Sequence, residues 1–225
     1  MPVTSTNLNP AYLGSRPDVL GLVTPGARRV LDVGCSAGAL GKDLKASGPI
    51  EVVGVELLPE AAKIAQDVLD EVHVGDVESI LASSDLGDQP FDTIIMADVL
   101  EHLRDPWSVL NKAASMLSER GEIIVSLPNV RHMSTLFSLI VRGRWPYRDR
   151  GIHDRTHLRF FTKKNIEELF AGAGLIIERM EPKYRLIESP HPINWIAKYL
   201  AVPGLRGFLA FQYLVRATPV TPGAT

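Results

Sequence analysis

The sequence has little cysteine: Cys35 is the only one among 225 residues. A lone cysteine excludes an internal disulfide, and the first thirty residues lack the basic and apolar stretches of a secretion signal. Both absences predict a cytoplasmic location. No uncharged apolar run approaches the ~20 residues that span a bilayer, so we expect no transmembrane segment. Cysteine and histidine spacings typical of zinc sites are also missing, and we expect no bound metal.

A second quantity near zero is the net charge, which is -2 from 24 basic and 26 acidic residues. The total hides an uneven distribution. Residues 131–164 contain seven Arg and two Lys against two Asp, a net of +7, while the rest of the chain carries -9. Because a charged surface favours ligands of the opposite sign, we expect the basic segment to face an anionic small molecule.

Composition and periodicity predict the fold. Hydrophobic residues make up 45% of the chain, enough for one globular domain and too many for a disordered chain. Apolar runs of strand length alternate with helical periodicity, so we predict an α/β fold: a Rossmann-like, doubly wound, mostly parallel seven-stranded sheet with an antiparallel last strand. Strands are predicted at 29–33, 51–55, 72–74, 91–96, 122–127, 175–179 and 208–215. Helices are predicted to begin at Gly38 and to cover 60–69, 106–117 and 163–171, the last capped by Thr162.

Acidic residues follow the first three predicted strands, where open parallel sheets bind their ligands. Asp32 lies at the start of a glycine-containing turn and would repel a pyrophosphate, but it would hold a cation such as an amino acid's ammonium group. Glu56 is placed to accept both hydroxyls of a ribose, and Asp76 to accept a hydrogen bond from the exocyclic amine of a purine. Ammonium, ribose and adenine in that order predict S-adenosylmethionine as the cofactor.

The chain resembles the class I S-adenosylmethionine-dependent methyltransferases. The resemblance is carried by VLDVGCSAGALG, VVGVE, VGDVE, FDTIIMADVLEHLRDPWSVL and LSERGEIIVSLPN, which cover most of residues 28–130. One departure is Ser36, where the family usually has glycine, and we expect this serine to tighten the turn or bond the ligand without abolishing binding. The resemblance adds residues at the strand ends and before the first strand, so that the expected cofactor-binding set is Asp32, Gly34, Cys35, Ser36, Gly38, Glu56, Leu57, Asp76, Val77, Asp98, Val99, Tyr12 and Arg16.

These assignments divide the single domain, residues 1–225, into functional parts. Residues 1–27 are expected to cover the cofactor, 28–130 to form its binding core, and 131–164 to form an insertion on the side of the methyl acceptor. Residues 165–217 complete the sheet, and the Pro/Thr/Gly-rich residues 218–225 are expected to be frayed.

A hydroxyl acceptor needs a base that removes its proton while the methyl group is transferred. We predict His157 in this role, oriented by Asp154. An ion pair between Asp154 and Arg159 that only fixes a loop is an equally weighted alternative. His102 matches a family histidine that often lies near the reaction centre, and its alternative role is to cap or pack a helix.

The stretches DRTHLRFFT and GRWPY resemble a subgroup of these enzymes often found near sugar and polysaccharide biosynthesis. The resemblance implies O-methylation of a sugar, a nucleotide-linked sugar or a similar small polar metabolite. Residues expected to bind the acceptor are His153, Arg159, His132, Arg131, Trp145 and Tyr147.

Several other functions are compatible with parts of the sequence. A phenolic or quinone-like acceptor stays open, as does an RNA methyltransferase that uses the basic segment, although no RNA-binding module is present and we consider nucleic acid unfavoured. A scaffold without activity is disfavoured because all three cofactor acids are present. A magnesium site at His153, Asp154 and His157 is disfavoured because only one of them supplies oxygen ligands. The apolar stretch 195–205 fits core packing or a homodimer contact better than a membrane surface.

Overall fold

The computed structural model describes residues 14–83 and 86–220. Over those residues, seven strands form one sheet in the order β3-β2-β1-β4-β5-β7-β6. The strands are β1 (Arg29–Val33), β2 (Glu51–Glu56), β3 (Glu71–Val74), β4 (Phe91–Ala97), β5 (Leu117–Pro128), β6 (Leu175–Tyr184) and β7 (Ala210–Pro219). The first five strands pair in parallel, and β7 runs antiparallel between β5 and β6. The predicted fold class is confirmed.

Helices join most of the strands. They are α1 (Pro17–Leu20), α2 (Ala39–Ser47), α3 (Pro59–Ala65), α4 (Val77–Ala82), α5 (Pro106–Ser115), α6 (Met133–Leu136), α7 (Lys163–Gly172), α8 (Ala197–Leu200) and α9 (Arg206–Leu209). Short 3₁₀ turns cover Leu100–His102 and Pro192–Ile196, and a π-turn covers Phe137–Val141. Thr162 caps α7 as predicted, in a capping box with Asn165. Within the described residues, no helix combines the length and apolar character that crossing a membrane would need.

The sheet has a hydrophobic core on each face because its central strands are apolar at successive positions. On one face, β-strand residues such as Leu31 and Ile94 pack in a cluster that includes Leu110 of α5 and Phe170 of α7. On the other face, α1, α2 and α3 contribute buried residues to a second cluster that contains Val30, Ile95, Val19, Leu44 and Ala65. This packing fixes β1 and β4 in the centre, so the residues that follow them are held in place.

Several elements differ from their predicted bounds: β5 begins at Leu117 rather than at 122, and the predicted helices 60–69 and 106–117 end at Ala65 and Ser115. The sequence does not predict α4, and further differences lie at the edge of the sheet. β6 continues to Tyr184, and β7 begins at Ala210 rather than at 208 and continues to Pro219. Thr218 and Pro219, the first residues of the segment expected to be frayed, pair with Ile176 and Leu175. Pairing with the long edge strand supplies backbone hydrogen bonds that composition does not reveal.

Candidate active site

The Asp32 side chain lies in the centre of the sheet, because β1 pairs with β2 on one side and β4 on the other. The residue is 2% exposed, and its Oδ2 atom has no hydrogen-bond partner among the described residues. Burial, and then the nearby Glu56 carboxylate, raise the pKa of Asp32 to about 7. A buried carboxyl without a partner, near the carboxyl end of a central strand, favours a ligand that brings a positive charge.

The turn after β1 has the shape of a ligand cradle. Gly34 adopts φ +73°, and a Cβ there would lie 2.8 Å from Cγ2 of Val99. Gly38 adopts φ +79° and begins α2. Ser36, at the departure from the family pattern, also adopts a left-handed conformation with φ +49°. The fold therefore holds this serine in the conformation that glycine adopts without cost.

The Ser36 amide helps to orient the acid at the end of β2. Its N–H donates to Oε2 of Glu56 at 2.8 Å, and the Leu58 N–H donates to Oε1 at 2.8 Å. Each carboxylate oxygen keeps lone-pair capacity for a second donor such as a ribose hydroxyl. Leu57, between Glu56 and Leu58 in the sequence, is exposed. Cys35 is buried, and its burial together with the Asp32 and Glu56 carboxylates raises the pKa of its thiol.

Asp76 is a helix cap as well as a predicted adenine ligand. Its Oδ1 accepts from the Glu78 N–H at 3.0 Å, and its Oδ2 forms an ion pair with the Arg104 guanidinium at 2.7 Å. The Arg104 side chain is 70% exposed, so this pair is open to solvent. Val77 begins α4 and is buried.

Arg16 reaches the carboxyl end of β4. Asp98 adopts φ +59°, and its Oδ2 forms an ion pair with Nη1 of Arg16 at 2.6 Å. Burial opposes the charge of Arg16, but the carboxylates of Asp98 and Asp18 outweigh it and raise the arginine pKa. The predicted segment before β1 thus touches the site through Arg16, while Tyr12 lies outside the described residues.

A cluster of Glu101, His102 and His157 lies just beyond β4. The His157 side chain is largely buried, its ring packs edge-on against His102 with centroids 4.7 Å apart, and its Nε2 lies 3.9 Å from Oε1 of Glu101. Burial, and then His102, lower the pKa of His157. Burial and the Asp98 carboxylate raise the pKa of Glu101 well above its usual range. Its other oxygen has no partner within the described chain.

Asp154 orients His102, and not His157 as predicted. The Asp154 Oδ1 accepts from the Thr156 hydroxyl at 2.6 Å and from the Thr156 N–H at 2.9 Å, and although burial opposes them, these bonds lower the carboxyl pKa. The Thr156 hydroxyl has only one proton, which it donates to Asp154, so His102 Nδ1 donates to that hydroxyl at 3.0 Å. This leaves His102 Nε2 as a proton acceptor. His157 Nδ1 instead donates to the Ile152 carbonyl at 3.2 Å.

The same cluster has the spacing of a metal site. One ligand atom each from Glu101, His102 and His157 lie within 4.8 Å of one another. Imidazole nitrogens with a carboxylate suit transition metals better than magnesium. This set of ligands differs from the magnesium site considered from the sequence, His153, Asp154 and His157, and shares only His157 with it.

Comparison with known proteins places this geometry in a family. The sequence profile of the family described as "Methyltransferase domain" matches residues 9–179. The chain belongs to the class I S-adenosylmethionine-dependent methyltransferases. The methyltransferase is 32% identical over 184 residues to the ubiquinone biosynthesis O-methyltransferase of Xanthomonas euvesicatoria, covering 76% of this chain and 71% of that protein. To the protein of the same name from Alkalilimnicola ehrlichii it is 25% identical over 213 residues, covering 89% and 84%.

Solved structures share the fold of this methyltransferase. A SAM-dependent methyltransferase from Archaeoglobus fulgidus aligns with a TM-score of 0.59 at 20% identity, over 85% of this chain and 86% of that one. Magnesium protoporphyrin IX methyltransferase from Synechocystis, solved with bound SAM, aligns with a TM-score of 0.55 at 17% identity, over 91% and 77%. The cofactor of the methyltransferase is S-adenosylmethionine, and the unpartnered Asp32 oxygen, the Gly34 turn and the Glu56 carboxylate fit it.

Two histidines predicted to bind the acceptor are buried in the methyltransferase. His132 is fully buried and begins α6, with Nε2 donating to the Arg185 carbonyl at 2.9 Å and Nδ1 accepting from the Ser134 N–H at 3.3 Å. Burial lowers its pKa. His153 is buried, and its Nδ1 lies 3.0 Å from Oε2 of Glu188. His153 Nε2 has no hydrogen-bond partner among the described residues. Burial of both rings favours a structural role, and their contact with the acceptor stays a prediction.

Some arginines of the basic segment have carboxylate partners, Arg148 with Glu188 and Arg155 with Asp149, which weakens the expectation of an anionic acceptor. Arg159 donates to the Arg104 carbonyl and faces the Trp107 ring, and the Asp154–Arg159 ion pair weighed in the sequence is not formed. Arg131 stacks on the Phe208 ring at 4.2 Å. Trp145 packs edge-on against His153 and Phe160, at 4.9 and 5.1 Å, whereas Tyr147 is exposed.

Glu101, Thr156 and Glu188 contact the predicted site residues but are not predicted from the sequence. Glu101 directly precedes His102 in a 3₁₀ turn, and this adjacency is a signal that could have found it. Thr156 lies between Asp154 and His157, and its role depends on a contact with a residue 54 positions away. Glu188 bonds His153 and Arg148 from a segment with no recognisable motif.

Proposed function

We propose that the methyltransferase transfers its methyl group to the hydroxyl of a phenolic or quinone-like small molecule. The observation that carries this proposal is the sequence similarity to proteins named ubiquinone biosynthesis O-methyltransferase, at 25–32% identity. The sugar acceptor favoured by the sequence alone has no support from these relatives. The phenolic alternative replaces it as the main hypothesis.

The base in the site favours the same acceptor. A phenol loses its proton near pH 10, as tyrosine does, whereas water ionises near 15.7 and aliphatic hydroxyls behave more like water than like phenols. Proton transfer to an imidazole is therefore much less uphill from a phenol than from a sugar. The orientation of His102 by Thr156 and Asp154 supports its role as this base.

In the proposed mechanism, Asp32 and Glu56 would hold the amino acid and ribose of the cofactor, which when bound would supply a methyl group already activated as a sulfonium. His102 Nε2 would accept the proton of the acceptor hydroxyl while that oxygen takes the methyl group. The Asp154–Thr156 pair holds the His102 ring in one orientation, so that less reorganisation is needed during the reaction. His157 packs edge-on against the same ring and restricts its movement.

A divalent ion at Glu101, His102 and His157 is a second route to the same product. The short distances among their ligand atoms favour it, because coordination of the acceptor oxygen would lower its pKa without a protein base. Activity that is lost on dialysis against a chelator and restored by one added divalent metal would assign the cluster to a metal. Activity that survives dialysis would assign it to general base catalysis.

The acceptor class is tested with radiolabelled methyl donor. We expect label to enter 4-alkylcatechols and not nucleotide sugars or a mixed RNA pool, with O-methyl products identified by mass spectrometry. The Asp32→Asn variant is the control for transfer that does not use the cofactor site. Transfer to a nucleotide sugar or RNA with no transfer to catechols would overturn the proposal.

A further inference from the structure

The helical segment 133–141, formed by α6 and the following π-turn, exposes its apolar side chains and buries its small polar ones. Its Met133, Phe137, Ile140 and Val141 side chains recur at helical spacing and are exposed, Ile140 by 78% and Val141 by 66%. The small polar residues Thr135 and Ser138 lie on the opposite face and are buried. A surface helix of a water-soluble domain normally shows the reverse pattern.

The segment 192–205 has the same character. Its large apolar side chains are exposed rather than packed, including Trp195 and Tyr199 at 64% each and Leu205 at 54%. Trp195 and Tyr199 form an edge-on pair with centroids 5.8 Å apart, and Lys198 Nζ lies 4.9 Å from the centre of the Tyr199 ring. Tryptophan and tyrosine next to lysine are typical of the boundary between lipid tails and headgroups.

The two segments lie close together where they join the sheet, the first after β5 and the second before β7. Asn129, which precedes the first segment, donates to the Gly207 and Ala210 carbonyls at 3.0 and 2.7 Å. Arg131 and Arg206 line one cavity of about 830 Å³, whose lining includes none of the predicted cofactor residues. The two segments therefore project from neighbouring positions, and we call their exposed side chains together the apolar rim.

Positive charge surrounds the apolar rim. Arg142 and Arg144 follow the first segment within three residues, and the second segment contains Lys198. Arg142 lies 5.1 Å from the centre of the Phe137 ring, and over the described residues no ion pair joins Arg142, Arg144 or Lys198 to a carboxylate. Residues 189–207 contain no acid. Exposed apolar and aromatic groups with unpaired cations match an anionic lipid surface. In a two-fold dimer the same patch would face itself and bring like charges together, which disfavours a second copy of the chain.

We propose that the apolar rim docks on the surface of a membrane that contains anionic lipid. Ile140 and Val141 would insert below the headgroups, Trp195 and Tyr199 would lie at their level, and Arg142, Arg144 and Lys198 would contact lipid phosphates. This docking goes beyond the proposed reaction and does not depend on the acceptor.

The test is sedimentation of the full chain with vesicles of phosphatidylcholine alone or mixed with phosphatidylglycerol. We expect binding to the mixed vesicles only, and about tenfold weaker binding for I140S/V141S and for R142Q/R144Q, since each cation near such a surface strengthens binding several-fold. The matched controls I176S and K63Q/K112Q change exposed residues outside the rim and should bind as the wild type does. High salt should weaken binding of the wild type more than that of R142Q/R144Q.

Melting temperature and S-adenosylhomocysteine affinity verify that each variant is folded. No binding to mixed vesicles, or binding that the rim variants leave unchanged, overturns the proposal. A concentration-dependent dimer in sedimentation equilibrium that I140S/V141S dissociates, without vesicle binding, would assign the rim to a second copy of the chain. Because no acceptor is used, failure here leaves the proposed O-methylation standing.

Discussion

The cofactor half of the methyltransferase, residues 28–128, and its acceptor half, residues 129–209, are built in different ways. In the cofactor half the predicted cofactor acids lie at or just after strand ends, and backbone N–H groups of nearby turns orient two of them, as Ser36 and Leu58 orient Glu56 and as Glu78 orients Asp76. In the acceptor half the contacts join distant segments, as in Thr156 with His102 and Glu188 with His153. A parallel sheet positions ligands through its own geometry, whereas loops need specific long-range contacts.

The difference predicts that substitutions in the two halves change different kinetic constants. The largest expected effect is from His102→Ala, a residue within 28–128 whose ring is oriented by Thr156 of the acceptor half. Loss of the base should lower kcat by about 10²–10⁴-fold, while the Kd for S-adenosylhomocysteine stays within about twofold. Single-turnover methyl transfer and calorimetric titration measure the two quantities.

Thr156 sharpens this test because it acts through His102. Thr156→Val should lower kcat by about tenfold, since His102 loses the hydroxyl that orients it, and Thr156→Ser should restore most of the activity because it keeps that hydroxyl. Equal losses in the valine and serine variants would show that Thr156 only supports the loop. His157→Ala with a greater kcat loss than His102→Ala would return the base assignment to His157.

The second prediction concerns Asp32 in the cofactor half. Asp32→Asn should weaken S-adenosylhomocysteine binding by roughly a hundredfold, because a charged hydrogen bond contributes about 1.5–3 kcal/mol. The same variant should be more stable without ligand at pH 8, by up to about 4 kcal/mol, because a pKa near 7 reflects the cost of a buried charge. Calorimetry and chemical unfolding measure both effects. Asp67→Asn, on the exposed surface, is the matched control.

The pH dependence of cofactor binding follows from the same carboxyl. Its pKa of about 7 lies above the unfolded value near 3.9, so the folded protein binds an extra proton between about pH 4 and 7. Stability contributed by Asp32 is therefore lost as the pH rises through that window. A cationic ligand prefers the ionised form, so its Kd should rise about tenfold per unit as the pH falls below 7. Asp32→Asn should remove this dependence, and an unchanged slope would contradict the role of Asp32.

The two halves also differ in how far the sequence predicts them. The ends of β1, β2 and β3 could be located because an apolar run followed by Asp32, Glu56 or Asp76 is a local signal. The contacts of the acceptor half could not be predicted from the sequence, because the roles of His132 and His153 depend on whether their rings face solvent. Burial of those rings is decided by Arg185 and Glu188, more than thirty positions away.

The smallest expected effect tests whether Asp76 recognises adenine or only caps α4. Both its oxygens have protein partners, Glu78 N–H and Arg104, but each can accept a second hydrogen bond. An analogue of S-adenosylhomocysteine whose purine has oxygen in place of the exocyclic amine should bind about five- to tenfold more weakly, because its oxygen faces a carboxylate without a proton between them. Asp76→Asn should reduce that discrimination, since its side chain offers both donor and acceptor, while Arg104→Gln should leave it in place because the exposed pair contributes little. If the wild type binds both ligands equally, then the acid after β3 is a helix cap, and the purine is recognised by other groups in the cofactor half.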